Sequence, residues 1–189
     1  MRRHAALLLA ALALATGCAP APPTNPLASY ERALAARQTA GVASGSEAEA
    51  QAVARFIEFY RDFTTEPVRR QIRTVYADDA WFRDPFEEVE GIDAVEAYFL
   101  DATETIAACT FDIQEWAERE GNYYFRWIMT LQLRRDADGP PIRAVGMSHI
   151  RFDRDGKVLF HQDYWDAAGT VYERLPVIGW ILRWIRSRI

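Results

Sequence analysis

The sequence predicts an α+β fold in which helices cover one face of a curved antiparallel sheet. Two observations support this. Three segments in the first half of the chain repeat apolar residues at helical spacing. Residues 110–166 then alternate apolar and polar residues in four segments separated by short turns that contain glycine, a pattern typical of an antiparallel meander. Because the helices precede the sheet, we expect them to lie together on one of its faces.

The predicted helices have recognisable starts. Ser46 begins the first one, and Glu49, three residues later, completes a capping box. Its apolar stripe consists of Val53, Phe56, Ile57, Tyr60 and Phe63. A second helix runs from after Thr65 to about residue 76, and Asp93 with Glu96 forms the cap pair of a third. Residues 80–84 form a short strand that Pro85 ends.

Composition places the chain in the globular class. Its 189 residues suit one domain with tails, and 50% of them are hydrophobic and 13% aromatic, enough for a filled core. The formal net charge of −5 argues against a nucleic-acid partner.

The first residues resemble an export signal. "MRRHAALLLAALALATGC" has two arginines, an apolar run over residues 5–15 and small residues before Cys18. The apolar run is too short to span a bilayer, which takes about 20 residues. Its end, "LATGC", resembles the lipobox of bacterial lipoproteins, and this resemblance implies cleavage after residue 17 and lipidation of Cys18. The alternative is an ordinary secretory signal that happens to contain a cysteine.

The segments after the signal complete the predicted organisation. Residues 18–45, rich in Ala, Pro, Ser and Thr, are interpreted as a lipid-anchored tether with a short helix, residues 46–172 as the domain, and residues 173–189 as a C-terminal amphipathic helix. In the lipoproteins that the signal resembles, a residue other than Asp after the modified cysteine directs sorting to the outer membrane. Ala19 occupies that position. We therefore expect the protein to be located in the bacterial cell envelope, at the periplasmic face of the outer membrane.

Two stretches carry a resemblance to a known family. "YADDAWFRDPF" followed by "GIDAVEAYF", and "IRFDRDGKVLFHQDYW", resemble the SnoaL-like and ketosteroid isomerase-like families of the nuclear transport factor 2-like superfamily, over residues 48–172. The resemblance implies a cone-shaped α+β fold that encloses a deep pocket, often in a homodimer. Members of the superfamily isomerise steroids, close polyketide rings, hydrolyse epoxides or only bind ligands, so the fold does not select a reaction.

Asp84 is the first candidate site residue. The resemblance places it at the general base of the ketosteroid isomerases, where an apolar wall raises the pKa of the carboxyl group. Trp81, Phe82 and Phe86 are expected to form that wall.

This sequence has different residues at the two positions that bind the oxyanion in those isomerases. They fall on Phe56, which cannot donate a hydrogen bond, and on Ser148, a neutral donor. Steroid isomerisation is therefore not expected, although Tyr60, one turn along the same helix, could replace the missing donor.

The last strand supplies the remaining candidates. In "FHQDYWD" a period of two puts His161, Asp163 and Trp165 on one face, which by resemblance lines the pocket. Together with Asp84, His161 and Asp163 would form an acid/base set of the kind used by SnoaL-like cyclases, and such a set needs no cofactor.

A structural role for the same residues remains open. His161 would then be satisfied by a buried partner, and Asp163 would pair with Arg126 or Arg143. A metal site is not expected, because His149 points away from the pocket face and leaves too few ligands. Asp78 and Asp79 are interpreted as a solvated turn.

The C-terminal helix fits two roles. In "LPVIGWILRWIRSRI" an apolar stripe accompanies three arginines and two tryptophans, which suits a helix in a membrane interface. A lid across the pocket, or a dimer contact, fits the stripe equally well. Each version places hydrophobic surface near the pocket, so we expect a small apolar ligand. The sequence leaves open whether the protein transforms this ligand by acid/base chemistry or only carries it.

Overall fold

The structure, a computed structural model, describes residues 25–38, 41–174 and 176–188. The predicted signal peptide and Cys18 lie outside the described residues. The helices are α1 (Pro26–Ala36), α2 (Glu47–Tyr60), α3 (Thr65–Val75), α4 (Ile92–Glu104), α5 (Ala167–Thr170) and α6 (Pro176–Arg186). The strands are β1 (Tyr76–Arg83), β2 (Glu88–Glu90), β3 (Ile106–Arg119), β4 (Asn122–Leu133), β5 (Ile142–Phe152) and β6 (Val158–Trp165).

The predicted α+β fold is confirmed, with one addition to the sheet. The strands form one sheet in the order β2-β1-β6-β5-β4-β3, and β3 to β6 make the predicted antiparallel meander. β1 runs parallel to β6, which makes the sheet mixed rather than purely antiparallel. A parallel neighbour needs a long connection. Here α4 and the strands of the meander provide it.

The sheet is bent around the helices. Pairing shifts between Ile106 and Ala108 and between Ile113 and Glu115 in β3, where an extra residue bends the strand. Buried aromatic residues of the helices fill the concave side. They are Phe56, Phe59 and Tyr60 of α2 and Phe99 of α4.

The start of α2 follows the predicted capping box. Ser46 accepts the backbone N–H of Glu49 at 3.1 Å, and the Glu49 carboxylate accepts the N–H of Gly45 at 2.7 Å. The second oxygen of Glu49 accepts the Tyr123 hydroxyl at 2.8 Å. The cap thus attaches α2 to β4 as well as satisfying the first backbone N–H groups of the helix.

One local prediction was wrong. Tyr76 is the C-cap of α3, at the predicted end of that helix, and it also begins β1. Asp78 and Asp79 lie in that strand, with exposed side chains, rather than in a turn. Irregular pairing between β1 and β6 in this stretch explains why no alternating pattern marks the strand.

The predicted cap of the third helix also differs. Gly91, not Asp93, is the N-cap of α4. Asp93 and Glu96 instead accept hydrogen bonds from Arg73 of α3, at 2.6 Å and at 2.8 Å, and link the two helices.

The segment assigned to the tether contacts the domain before its end. The guanidinium of Arg37 donates to the carbonyl of Asp79 at 2.9 Å and to Glu90 at 2.7 Å. Its side chain is buried, so this part of the segment is fixed against β1 and β2.

A close approach in the sheet yields a stability prediction. A Cβ at Gly146 would lie 2.2 Å from the buried Trp127 ring. We expect Gly146→Ala to lower the free energy of unfolding by about 1–3 kcal/mol, because the ring has no space to move into. Urea denaturation measures it. Val145→Ala, which shortens an exposed neighbour, should stay within about 0.5 kcal/mol. Equal midpoints for the two variants would contradict the close packing.

Candidate functional site

A cavity of about 260 Å³ opens between the concave face of the sheet and the helices. Its wall is mostly aromatic and aliphatic and includes Phe63, Phe82, Phe99, Phe111, Met129 and Leu131. Two carboxylates, Asp84 and Asp163, also line it. Apolar walls with a few polar groups are typical of small-molecule sites, and the volume lies just below the roughly 300–1,000 Å³ of sites for drug-sized ligands.

Asp84 lines the cavity and accepts three hydrogen bonds. It follows β1, and its Oδ1 accepts the backbone N–H groups of Phe86 and Glu87 at 2.8 and 2.9 Å. Its Oδ2 accepts the hydroxyl of Tyr98, from α4, at 2.7 Å. One oxygen therefore fixes the turn between β1 and β2, and the other is held at the wall by a phenol.

The surroundings of Asp84 favour its neutral form. Burial raises the pKa of the Asp84 carboxyl above its ordinary value, and the nearby Asp163 charge raises it further. The hydrogen bonds from Glu87, Tyr98 and Phe86 oppose this rise in pKa but do not cancel it. A carboxyl group with a raised pKa is a better proton acceptor than an ordinary carboxylate.

A buried hydrogen-bond network lies at the base of the cavity. We call it the His161 network: the Tyr60 hydroxyl is 2.6 Å from that of Tyr76, which is 2.6 Å from Nδ1 of His161. Nε2 of His161 is 2.7 Å from Oδ1 of Asp163. The hydroxyl of Ser148 donates to the same oxygen. The network therefore ends on a carboxylate that faces the cavity.

The partners assign the proton positions. Ser148 accepts the indole N–H of Trp127 at 2.9 Å, so its own proton goes to Asp163. In a neutral imidazole with the proton on Nε2, facing the carboxylate, Nδ1 accepts from Tyr76. The oxygen of Tyr76 then accepts from Tyr60. Each of these donors is thus engaged within the network.

Burial keeps the two phenols of the network protonated. It raises the pKa of Tyr60 and of Tyr76 well above the ordinary value, and for Tyr60 the neighbouring Tyr76 and Asp163 raise it further. The phenols therefore act as hydrogen-bond donors, not as bases.

Apart from Trp81, the predicted pocket residues fall in two places. Tyr60, Phe86 and Trp165 line the cavity together with both aspartates. Phe56 and Ser148 lie deeper, around an inner void of about 10 Å³ that Tyr60 and Asp163 also border. The volume and the polar groups suit a single water molecule.

The predicted position of Trp81 in the pocket wall was wrong. It was predicted to form the wall beside Asp84, but its ring stacks on Phe160 at 4.8 Å, and its indole N–H donates to Glu88 at 3.3 Å. Trp81 and Phe160 are paired across β1 and β6, whereas Phe82 pairs with His161, which belongs to the cavity side. Neighbouring residues of a strand face opposite sides, so Trp81 faces away from the cavity.

The arginine partners proposed for Asp163 are also wrong. Arg126 binds Glu115 at 2.7 Å, and Asp163 is held by His161 and Ser148 instead. His149 lies on the other face of β5, 2.9 Å from Asn122, and burial lowers its pKa to about 4.

The sequence did not identify two of the site residues. Tyr76 lies where the second helix was predicted to end, and Tyr98 was not among the candidate site residues. A tyrosine at a buried position carries a hydroxyl that needs a partner, and this was the available signal. Cys109 is buried and also lines the cavity, and burial raises the pKa of its thiol to about 12.

The raised pKa of Asp84 predicts a pH dependence of stability. The folded protein binds a proton on Asp84 that the unfolded chain loses at lower pH, near 3.9. This contribution is fully present below the unfolded pKa and is lost as the pH rises through the folded pKa. The free energy of unfolding of the wild type should therefore fall, relative to that of Asp84→Asn, as the pH rises from the unfolded pKa of Asp84 through its folded pKa. Urea denaturation of both proteins from about pH 3.5 to about pH 8, values chosen to bracket the window, measures the difference. A difference independent of pH would contradict the raised pKa.

Comparisons with solved structures agree with this architecture. An NTF2-like protein from Anabaena variabilis superposes with a TM-score of 0.56 at 12% identity, over 68% of this chain and 97% of that one. An LEH-like epoxide hydrolase from M. tuberculosis superposes with a TM-score of 0.53 at 13% sequence identity, over 65% of this chain and 86% of that one. A third structure is a protein with a ketosteroid isomerase-like fold from Catenulispora acidiphila, in complex with trimethylamine. It superposes with a TM-score of 0.54 at 13% sequence identity, over 64% of this chain and 89% of that one. At these identities the likeness shows the fold alone.

Sequence comparison identifies the family. No functionally curated protein matches the chain significantly. The SnoaL-like domain family matches residues 53–161, more than half of the chain, and this range contains Asp84, Tyr98 and His161. The match covers most of the cavity wall and all of the sheet except the end of β6. The chain belongs to the SnoaL-like domain family.

Proposed function

We propose that the domain binds a small, mostly apolar molecule in the cavity and moves a proton within it, with Asp84 as the proton-transfer group. One observation carries the proposal: a carboxyl group with a raised pKa faces an otherwise apolar cavity that a second carboxylate shares. Environments of this kind are typical of catalytic acids and bases.

The proposed step needs no cofactor. A proton leaves one atom of the ligand for the Asp84 carboxylate and returns to another atom of the same ligand, so the net change is an isomerisation. Phe82 and Phe99 give this side of the cavity an apolar wall, and charge interactions are stronger in such surroundings than in water. Cyclisation by the same acid/base step is a variant of this chemistry.

The His161 network supports the step from the other side. His161 and Ser148 each hold Oδ1 of Asp163, which fixes the orientation of the carboxylate. The Asp163 charge contributes to the raised pKa of Asp84. Asp163 is thus a cavity carboxylate that tunes Asp84, and His161 is a positioning residue.

One observation favours a non-catalytic carrier as the second candidate. Removing a proton from carbon next to a carbonyl leaves negative charge on oxygen, which isomerases stabilise with hydrogen-bond donors. Phe56 has no donor, and the Tyr60 hydroxyl already shares a hydrogen bond with that of Tyr76, 2.6 Å away. A carrier needs only the apolar cavity.

Deuterium exchange into a retained ligand distinguishes the two functions. Native mass spectrometry of protein purified from membranes first identifies a bound small molecule. Incubation in D₂O should then place deuterium on carbon atoms of the ligand, and Asp84→Asn should slow this about 10²–10⁴-fold. The amide oxygen of the introduced asparagine can still accept the two turn N–H groups, so the fold should persist. Asp78→Asn, an exposed aspartate of β1, is the matched control and should exchange at the wild-type rate.

Two results would contradict the catalytic proposal. Unchanged exchange in Asp84→Asn with ligand bound would remove Asp84 from the mechanism. A ligand retained by wild type without exchange above the protein-free rate would assign the domain to the carrier function.

We also propose that the chain is anchored in a bacterial membrane through lipid on Cys18. The lipobox-like "LATGC" supports this. Radiolabelled fatty acid fed to expressing bacteria should enter the wild-type protein and not Cys18→Ser. Label that remains in Cys18→Ser would contradict the assignment.

A further inference from the structure

The C-terminal helix α6 packs against the domain with its polar side. Arg183 donates to the carbonyl of Glu173 at 2.9 Å, and Arg186 binds the carboxylates of Glu173 and Asp166. Gly179 is buried, and a Cβ there would lie 2.1 Å from the same Glu173 carbonyl. Glycine and the two arginines recur at spacings of four and three residues, so they form one side of the helix.

The opposite side of α6 is apolar and exposed. Val177 is 70% exposed, Trp180 64% and Trp184 50%, and three isoleucines of the helix are also exposed. A surface helix of a globular domain normally turns this stripe toward the core. In α6 the orientation is inverted, so a large apolar face is presented to the outside. Patches of this kind mark contacts with proteins or membranes.

Charge indicates which kind of partner this face meets. Residues 174–188 contain four arginines and no acidic residue, in a chain whose net charge is −5. The guanidinium of Arg188 lies 5.2 Å from the centre of the Trp184 ring. Tryptophan and arginine beside an apolar face are typical of helices that lie in a membrane interface, and the basic charge matches anionic headgroups.

The size of α6 argues against a protein partner, or a second copy of the chain, on its apolar face. α6 has 11 residues, which corresponds to a length of about 16 Å. A stable protein interface buries about 800 Å² per partner, more than one short convex helix offers. A second copy of the chain has a broader apolar surface available on the outer face of the sheet. Its exposed residues are Tyr124, Val145, Met147 and Tyr164.

The helix does not span the membrane in this arrangement. No helix among the described residues is both long and apolar enough to cross a bilayer. The described side chains of α6 are not part of the cavity wall. These contacts therefore give no support to the role of a lid, one of the roles that the sequence allowed.

We propose that α6 lies in the interface of an anionic lipid bilayer, with its isoleucines and tryptophans among the acyl chains and Arg188, which follows the helix beside Trp184, at the headgroups. The helix adjoins the cavity rim through the turn Tyr172–Arg174: Tyr172 contacts Phe86 with ring centres 5.7 Å apart, and Phe86 lines the cavity. Bilayer binding therefore holds the rim close to the lipid surface. This does not rest on the proposed proton transfer.

Quenching of tryptophan fluorescence by lipids brominated on their acyl chains tests the proposal on the full chain. The probe is a vesicle of phosphatidylethanolamine and phosphatidylglycerol. We expect quenching in wild type and loss of most of it in the double variant Trp180→Phe/Trp184→Phe. Trp116→Phe, which replaces a tryptophan of β3 that is 42% exposed, is the matched control and should retain the wild-type quenching. The readout is local, so an anchor at the N-terminus does not produce it.

A second variant tests the apolar face directly. Ile181→Asp places a charge in its centre at a position that is 41% exposed, so folding should persist while quenching falls. Absence of quenching in wild type, or quenching that survives in Trp180→Phe/Trp184→Phe, would overturn the proposal. A dimer that Ile181→Asp dissociates, with no quenching in wild type, would overturn it in favour of a second copy.

Discussion

The parallel pairing of β1 with β6 is the constraint on which the cavity depends. It aligns Phe82 with His161, so the end of the first strand and the end of the last lie side by side. Asp84 and Asp163, each two residues beyond this pair in the sequence, thereby reach the same apolar cavity. The pairing thereby brings the Asp163 charge close enough to contribute to the raised pKa of Asp84.

The His161 network meets the second constraint, which is that buried polar groups need partners. Tyr60, Tyr76 and His161 are almost fully buried, and each is hydrogen-bonded within the network. An unsatisfied buried polar group costs about 1–3 kcal/mol, so the network has to be complete to be tolerated. Its completeness also explains why Tyr60 is a poor substitute for an oxyanion donor: its proton already has an acceptor. The hydrogen bond that satisfies the buried Tyr60 hydroxyl therefore leaves this hydroxyl less able to bind an oxyanion.

The proposals for the cavity and for α6 are independent but compatible. An apolar cavity suits a ligand that partitions into lipid, and a helix bound at the bilayer surface beside Phe86 would shorten the path of such a ligand. The turn that carries Tyr172 and Glu173 makes both contacts, one to the cavity rim and one to α6. In the proposed arrangement, this turn would connect the membrane-bound helix with the entrance of the cavity.

The sequence by itself determined the order of the elements, the capping of α2, the meander β3 to β6 and the candidacy of Asp84, His161 and Asp163. These depend on local periodicity or on motifs within a few residues. Only the tertiary structure decided the parallel neighbour of β1, the outward side of Trp81, the role of Tyr76 and the inverted orientation of α6. Periodicity shows that a strand or helix has two faces, but which face meets the core depends on contacts with segments distant in the chain.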